Sequence, residues 1–471
     1  MTRTLYRRAL AIATMDDTRR ILENGDILVD GKAIAAVGPD LSRELHDRTV
    51  DLTGMVVIPG MVNTHHHLYQ TLTRAVPRVQ DVELFEWLVD LYEVWRQLSP
   101  EAVRVGALVG LGELLLTGCT TSTDHHYVFP ERVDKKLIDV QARAAAELGI
   151  RFHPTRGSMS RGKSKGGLPP DDLVQTEGAI LADCERVIGE LHDPNRFSMC
   201  RVALAPCSPF SVTDKLLEAT AVLARKHKVL MHTHLAETLD EEEFCLKTHG
   251  LRPLAYMQRV GWVGSDVWYA HGIHFNDAEI ELLGKTKTGI AHCPTSNLRL
   301  GSGICPVPKL RQKGVPVGLA VDGSASNDSS NMLAEARQAL LVHRVRSGVG
   351  STTALSVLEI ATRGGAEVLN RDDIGSLESG KAADFAVFDT HDIGFAGAMH
   401  DPIAALLFCA AARRAHTVVV NGEPVVENGK LKGTDEDELI NIANRIASDM
   451  VQGAKVHTGR DFLKARSAAR T

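Results

Sequence analysis

The chain has 471 residues, a hydrophobic fraction of 44%, a charged fraction of 24% and a formal net charge of −6. That length exceeds one compact core, so a large domain with a smaller satellite is expected. Basic residues are scattered and outnumbered by acidic ones, which gives no electrostatic reason to expect nucleic acid or an anionic membrane as partner.

From the N-terminus, the apolar run Ala9 to Met15 is too short for a signal-peptide core and leads directly into Asp16 and Asp17. No apolar stretch reaches the roughly 18 residues a membrane span needs. The eight cysteines contain no CxxC pair, so reduced thiols in a cytoplasmic protein are expected. Next, DILVDGKAIAAVG reads as two strands joined at Asp30-Gly31, a dipeptide suited to a type I′ hairpin.

A long alternation follows. Eight short runs rich in β-branched or apolar residues stand out: MVVIPGMVNTHHH, CTTSTDHHY, IRFHPTRG, RVALAPCSPF, KVLMHTHLAE, VWYAHGIH, TGIAHCPTSN and VPVGLAVDG. Helical patterns such as PEAVRVGALVGLGELLLTG and DKLLEATAVLARKHK separate most of them. This grammar predicts an α/β fold, a TIM (β/α)8 barrel over residues 59–375. A doubly wound open sheet is the competitor, and the lack of a glycine-rich dinucleotide fingerprint counts against it. Beyond the barrel, ADFAVFD and TVVVNGEPVVENGKL repeat the early strand grammar, with Asn421-Gly422 at a turn. Neither flanking piece can close a core alone. Residues 1–58 and 376–434 are therefore expected to form one small β-sandwich, followed by a helical tail over 435–471 with a frayed basic end.

In almost every barrel strand the apolar residues come first and the polar ones last. Barrel enzymes build their sites at that C-terminal face. Side chains alternate along a strand, so His65 and His67 project inward together while His66 points away. Alone, an HxH pair is weak evidence. Strand five adds His234 as a third imidazole, with Glu237 just past the strand end; His232 lies deeper and reads as a packed, hydrogen-bonded histidine. Strand six supplies His271, with His274 peripheral. Strand eight supplies Asp322, a carboxylate too costly to bury without a charge or metal beside it. Three neutral imidazoles, a carboxylate and a water suit zinc, iron or a similar divalent ion.

HxH after strand one, HLAE on strand five, AH on strand six and VDG on strand eight resemble the amidohydrolase superfamily in residue type and order. The flanking β-domain is similar too, so the resemblance covers nearly the whole chain. Binuclear members use a bridging lysine on strand four; RVALAPCSPF has none. The resemblance therefore implies one divalent ion per chain, zinc first and iron second, held by His65, His67, His234 and Asp322. It points to the mononuclear branch of aminohydrolases, which act on purines, pterins, cytosine and triazines. HHHLYQTLTRAVP, HPTRGSMS, LAPCSPFSV and VDGSASND look most like purine-directed members, and triazine hydrolases share much of this text. Asp322, which some triazine chlorohydrolase relatives replace, favours deamination. The implied partner is a small heterocycle, and a homo-oligomer is expected.

Displacing an amine from an aromatic ring carbon needs a nucleophile and two protons. A divalent ion brings water toward hydroxide near neutral pH. Asp322 is expected to accept the water's proton, Glu237 to protonate the ring nitrogen, and His271 to orient the nucleophile. For recognition, Gln70 is a candidate amide for an exocyclic carbonyl, Trp87 a flat wall and Arg156 a donor to oxygen. Each has a purely structural alternative: helix core for Trp87, a salt bridge for Arg156. Asn297 is expected to brace its loop, and RGKSKGGLPPDD reads as a mobile lid. Ring opening of cyclic amides is the competing chemistry, against which the missing lysine argues. A non-catalytic scaffold is the third possibility, against which the full set of ligand positions argues.

Overall fold

The computed structural model describes residues 2–133, 136–409 and 414–466. Eight parallel strands run in sequence order: β1 (Met61–Asn63), β2 (Cys119–His126), β3 (Arg151–Ser158) and β4 (Ala203–Pro206) form one half. β5 (Leu230–Leu235), β6 (Val267–His271), β7 (Gly289–His292) and β8 (Val317–Leu319) form the other. Two backbone bonds draw the first and last strands together: Thr64 N–H donates to Leu319 at 3.1 Å, and Asp322 N–H to His65 at 3.2 Å. The result is a nearly closed TIM-like barrel.

Helices lie between the strands, and their starts follow from local chemistry. Ser99, Thr213, Asn276 and Asn331 each accept a backbone N–H from the first helical turn, and Asn276 forms a reciprocal box with Glu279. The helix Pro100–Leu116 is buried along most of its length. It is covered outside by the C-terminal helix Glu436–Thr458, which also packs on Leu84–Trp95.

Strands from both chain ends form one nine-stranded mixed sheet. Met55–Pro59 joins the two ends, running parallel to Arg3–Ala13 and antiparallel to Phe385–Asp389. This sheet encloses its own cluster, including Tyr6, Ile12, Ile27, Val57, Phe385 and Val419. Arg151 on β3 ties it to the barrel with paired 3.0 Å bonds to the buried Asp384 carboxylate. The two hairpin expectations fare differently. Asn421 and Gly422 both take positive φ (53° and 84°), as a type I′ turn demands. In the first hairpin Asp30 still pairs with Ala33, so Gly31-Lys32 forms the turn, and only Gly31 has positive φ.

After the last helix, Arg460 and Arg466 reach back to Asp90 at 3.1 and 3.0 Å, where Arg78 also pairs at 2.9 Å. Of the basic end expected to fray, residues 467–471 lie outside the described residues. Among the described residues no helix is long and apolar enough to cross a membrane.

Candidate active site

A pocket with an empty volume of about 430 Å³ opens at the C-terminal ends of the strands. His67, His234, Glu237, His271 and Asp322 line its floor, and Gln70, Trp87, Tyr92, Tyr127, Cys207, Ser208 and Phe210 its walls. The chain makes sharp turns here: Ala236, His271 and Asp322 hold φ of 54°, 74° and 62°. Non-glycine residues in this region store strain on the order of 1–3 kcal/mol each, a feature that clusters at working sites. Glu241 helps hold one such turn, accepting the N–H of Ala236 at 2.8 Å and of Glu237 at 3.3 Å.

Side chains distant in sequence converge in two overlapping groups, His65, His67, His125 and His234, and His65, His271 and Asp322, each with possible ligand atoms within 4.8 Å of one another. His67 Nε2 lies 3.1 Å from His234 Nε2 and 3.4 Å from Asp322 Oδ1, and His65 Nε2 lies 3.2 Å from the same oxygen. Burial dominates the imidazoles of His65, His67 and His234 and lowers the pKa of each, so the rings are neutral. His67 Nδ1 faces the His125 carbonyl at 2.7 Å, and His234 Nδ1 the Cys207 carbonyl at 2.6 Å. A carbonyl only accepts, so these Nδ1 atoms carry the ring protons and both Nε2 atoms keep bare lone pairs. His65 Nε2 is buried without a hydrogen-bond partner. Lone pairs and a carboxylate oxygen 3.1–3.4 Å apart would repel one another in an empty hole. A central cation resolves this, since tetrahedral ligands at about 2.1 Å stand about 3.4 Å apart. The donor set therefore fits a divalent metal.

Asp322 is shaped for such a role. Burial alone would raise its carboxyl, but a positive charge on the groups around it, on His65 first and then on His271 and His67, holds it well below the usual carboxylate range. Ser296 Oγ donates to Oδ2 at 2.6 Å, and the N–H of Gly323 to Oδ1 at 2.7 Å. Glu237 behaves oppositely: burial pushes its carboxyl up to about 7. His271 Nε2 lies 3.4 Å from Glu237, and its Nδ1 donates to Asn297 Oδ1 at 2.8 Å. Burial disfavours the charged His271, but Glu237 and Asp322 prevail and its pKa is raised. Two carboxyls with separated affinities, bridged by an imidazole, suit proton transfer in both directions.

Gln70 and Trp87 line the pocket, as does Tyr92, which sequence reasoning passed over. Leu84, Trp87, Leu88 and Tyr92 form one stripe on the helix Leu84–Trp95, at the three- and four-residue spacing of a helix face. That spacing is legible in the sequence. His125 was also missed; its ring stacks 4.8 Å from His234 at 19°. Asn297 braces His271 itself, beyond its own loop. His274 is peripheral, bonded to the Ser302 carbonyl at 3.0 Å. His66 turns away to Ser330 at 2.9 Å.

Arg156 is a correction. It does not reach the pocket: its guanidinium is fully buried, pairs with Asp183 at 2.6 Å and Gln175 at 2.9 Å, and lies over the Phe129 ring. The register explains why. On parallel strands His125 neighbours Thr155 and His126 neighbours Arg156, so the inward level belongs to Thr155. In the RGKSKGGLPPDD loop Ser164 Oγ donates to Asp171 at 2.8 Å, and Arg96, from outside it, donates to Asp172.

Known proteins match this arrangement along nearly the whole chain. Residues 56–425 match the model of the amidohydrolase family. The chain is 49% identical to 8-oxoguanine deaminase of Pseudomonas aeruginosa, over 96% of this chain and 100% of that protein. It is 36% identical to hydroxydechloroatrazine ethylaminohydrolase of Pseudomonas sp. strain ADP, over 96% of this chain and 97% of the relative. Among solved structures, atrazine chlorohydrolase from Arthrobacter aurescens TC1 complexed with zinc superposes with a TM-score of 0.91 at 37% identity, over 94% of this chain and 100% of that one. Barrel, strand-end histidines and sequence agree, and the chain belongs to the amidohydrolase family as a hydrolase of carbon–nitrogen bonds.

Proposed function

We propose that this protein is a metal-dependent aminohydrolase of a purine-like heterocycle, converting 8-oxoguanine to urate and ammonia. The reaction class rests on one observation: bare imidazole nitrogens and ionised Asp322 share a pocket with Glu237, a carboxyl pushed up to about 7. The choice of substrate is supported by the 49% identity to a deaminase of that name.

His65, His67, His234 and Asp322 are the residues that would hold one divalent ion, zinc before iron. When bound, such an ion supplies the Lewis acidity that makes water nucleophilic near neutral pH. The chain's own groups do the rest. Asp322 takes the water's proton, and Glu237 delivers one to the ring nitrogen beside the attacked carbon. His271, steadied by Asn297, orients the attacking oxygen. The proton held by Asp322 then leaves with ammonia, and the adduct's hydroxyl proton returns to Glu237 as the carbonyl forms. Leu84, Leu88 and Phe210 provide the apolar walls that suit a flat ring, with Trp87 and the Gln70 amide beside them.

A second reading, hydrolysis of a hydroxytriazine, is favoured by the 36% identity to hydroxydechloroatrazine ethylaminohydrolase. Guanine and isoxanthopterin are the remaining alternatives. Ammonia release from 8-oxoguanine, guanine, isoxanthopterin and hydroxyatrazine, measured side by side on metal-replete enzyme, decides among them. Turnover of hydroxyatrazine with both purines untouched would refute the purine assignment.

A further inference from the structure

The inward histidines are not held alike. His67 and His234 each lean on a backbone carbonyl, a partner whose role as acceptor is fixed. His65 instead leans on a second imidazole: its Nδ1 lies 2.7 Å from His232 Nε2. His232 Nδ1 in turn lies 3.0 Å from the carbonyl of Trp268. Because that carbonyl only accepts, His232 carries its proton on Nδ1, which leaves Nε2 as an acceptor. His65 must then donate from Nδ1, and its Nε2 lone pair is left aimed at the position shared with Asp322. One carbonyl on β6 thus dictates, through two imidazoles, the tautomer of a ring on the segment after β1.

The packing fixes the same geometry a second time. The His232 ring lies on the Trp268 indole with centroids 4.3 Å apart and planes 16° from parallel. The indole Nε1 donates at 3.0 Å to the carbonyl of Thr64, the residue preceding His65. Both imidazoles are fully buried, so no water substitutes for either bond.

We propose that His232 is a positioning residue: anchored on the Trp268 carbonyl, it sets the tautomer and ring orientation of His65 and thereby how tightly the site holds a divalent cation. The proposal rests on reading the site as a cation site. His232 itself contributes no ligand atom. The competing view is that His232 only fills space against Trp268.

Full-length variants titrated with zinc against a chromophoric chelator separate the two. His232→Phe keeps a flat ring on Trp268 and removes the acceptor; His232→Gln keeps an acceptor oxygen. Zinc affinity is expected to fall on the order of 10–100-fold in His232→Phe, the usual cost of losing such an outer partner. It recovers most of that loss in His232→Gln. Unchanged affinity in His232→Phe, or equal weakening in both variants, overturns the proposal. Cobalt-loaded wild type and His232→Asn give a second reading that needs no Phe variant. The shorter amide stays beside the Trp268 carbonyl but does not reach His65, so displaced d–d bands are expected; superimposable spectra overturn the proposal. Wild-type protein that holds no divalent ion defeats the cation site itself, an outcome distinct from intact binding that ignores His232.

Discussion

Replacing Glu237 tests the proton economy of the site most directly. Burial pushes this carboxyl from 4.5 to about 7. At pH 7 a carboxyl of pKa 4.5 is protonated in roughly 0.3% of molecules, and one near 7 in roughly half, a gain of roughly 150-fold in the acid form. If the protonated acid serves the ring nitrogen, turnover declines as pH rises through about 7, approaching tenfold per unit. Glu237→Gln keeps size and polarity but has no proton to give. It is expected to lose about 10²–10⁴ of kcat and to flatten the descending limb near neutrality. Its metal content should match wild type, because Glu237 lies outside the group converging on Asp322 Oδ1. The assay is ammonia release across pH 5.5–9 with metal analysis of both proteins. A variant retaining a tenth of wild-type turnover, or a wild-type rate that climbs undiminished to pH 9, would refute the assignment.

Asp322→Ala removes the carboxylate that faces two imidazoles, so metal per chain by elemental analysis should fall well below one, with turnover reduced about 10²–10⁴-fold. Asp124, on β2, is pushed up to about 7 by burial while it accepts the Leu68 N–H at 2.6 Å. A raised folded pKa means the proton stabilises the fold fully below the ordinary value near 4, and that benefit is lost as pH rises toward 7. The shift is worth about 4 kcal/mol. Asp124→Asn should therefore melt higher relative to wild type at pH 8 than at pH 5; equal differences at both would contradict the burial argument. Asp90→Asn leaves three arginines without their charged partner. A loss of about 2 kcal/mol is expected, below the 3–5 of a fully buried break because those arginines are partly exposed; denaturant unfolding checks it.

The sequence showed most of the site because the information was local. Period-two alternation alone separates His65 and His67 from His66, and the structure sends His66 to Ser330 on the other side. Asp322 was legible as an expense needing compensation. Arg156 was misjudged because inward and outward levels on β3 depend on its register with β2, a pairing no single strand encodes. The same limit hid His125, whose inward side is set by that pairing. In the first hairpin, an Asp-Gly dipeptide suggested the turn, yet pairing of Asp30 with Ala33 moved it one residue along. Tyr92 was readable from helix spacing. What spacing cannot tell is which helix face looks into the barrel mouth, since that comes from packing with distant segments.

One of those distant segments imposes an order of assembly. Asp90 sits on the helix that walls the pocket, and its partner Arg460 follows 370 residues later. On a ribosome the barrel's strands emerge long before that arginine does. This wall of the pocket is therefore among the last parts of the molecule to be locked, and a nascent chain with His65, His67, His234 and Asp322 already made still lacks a finished pocket.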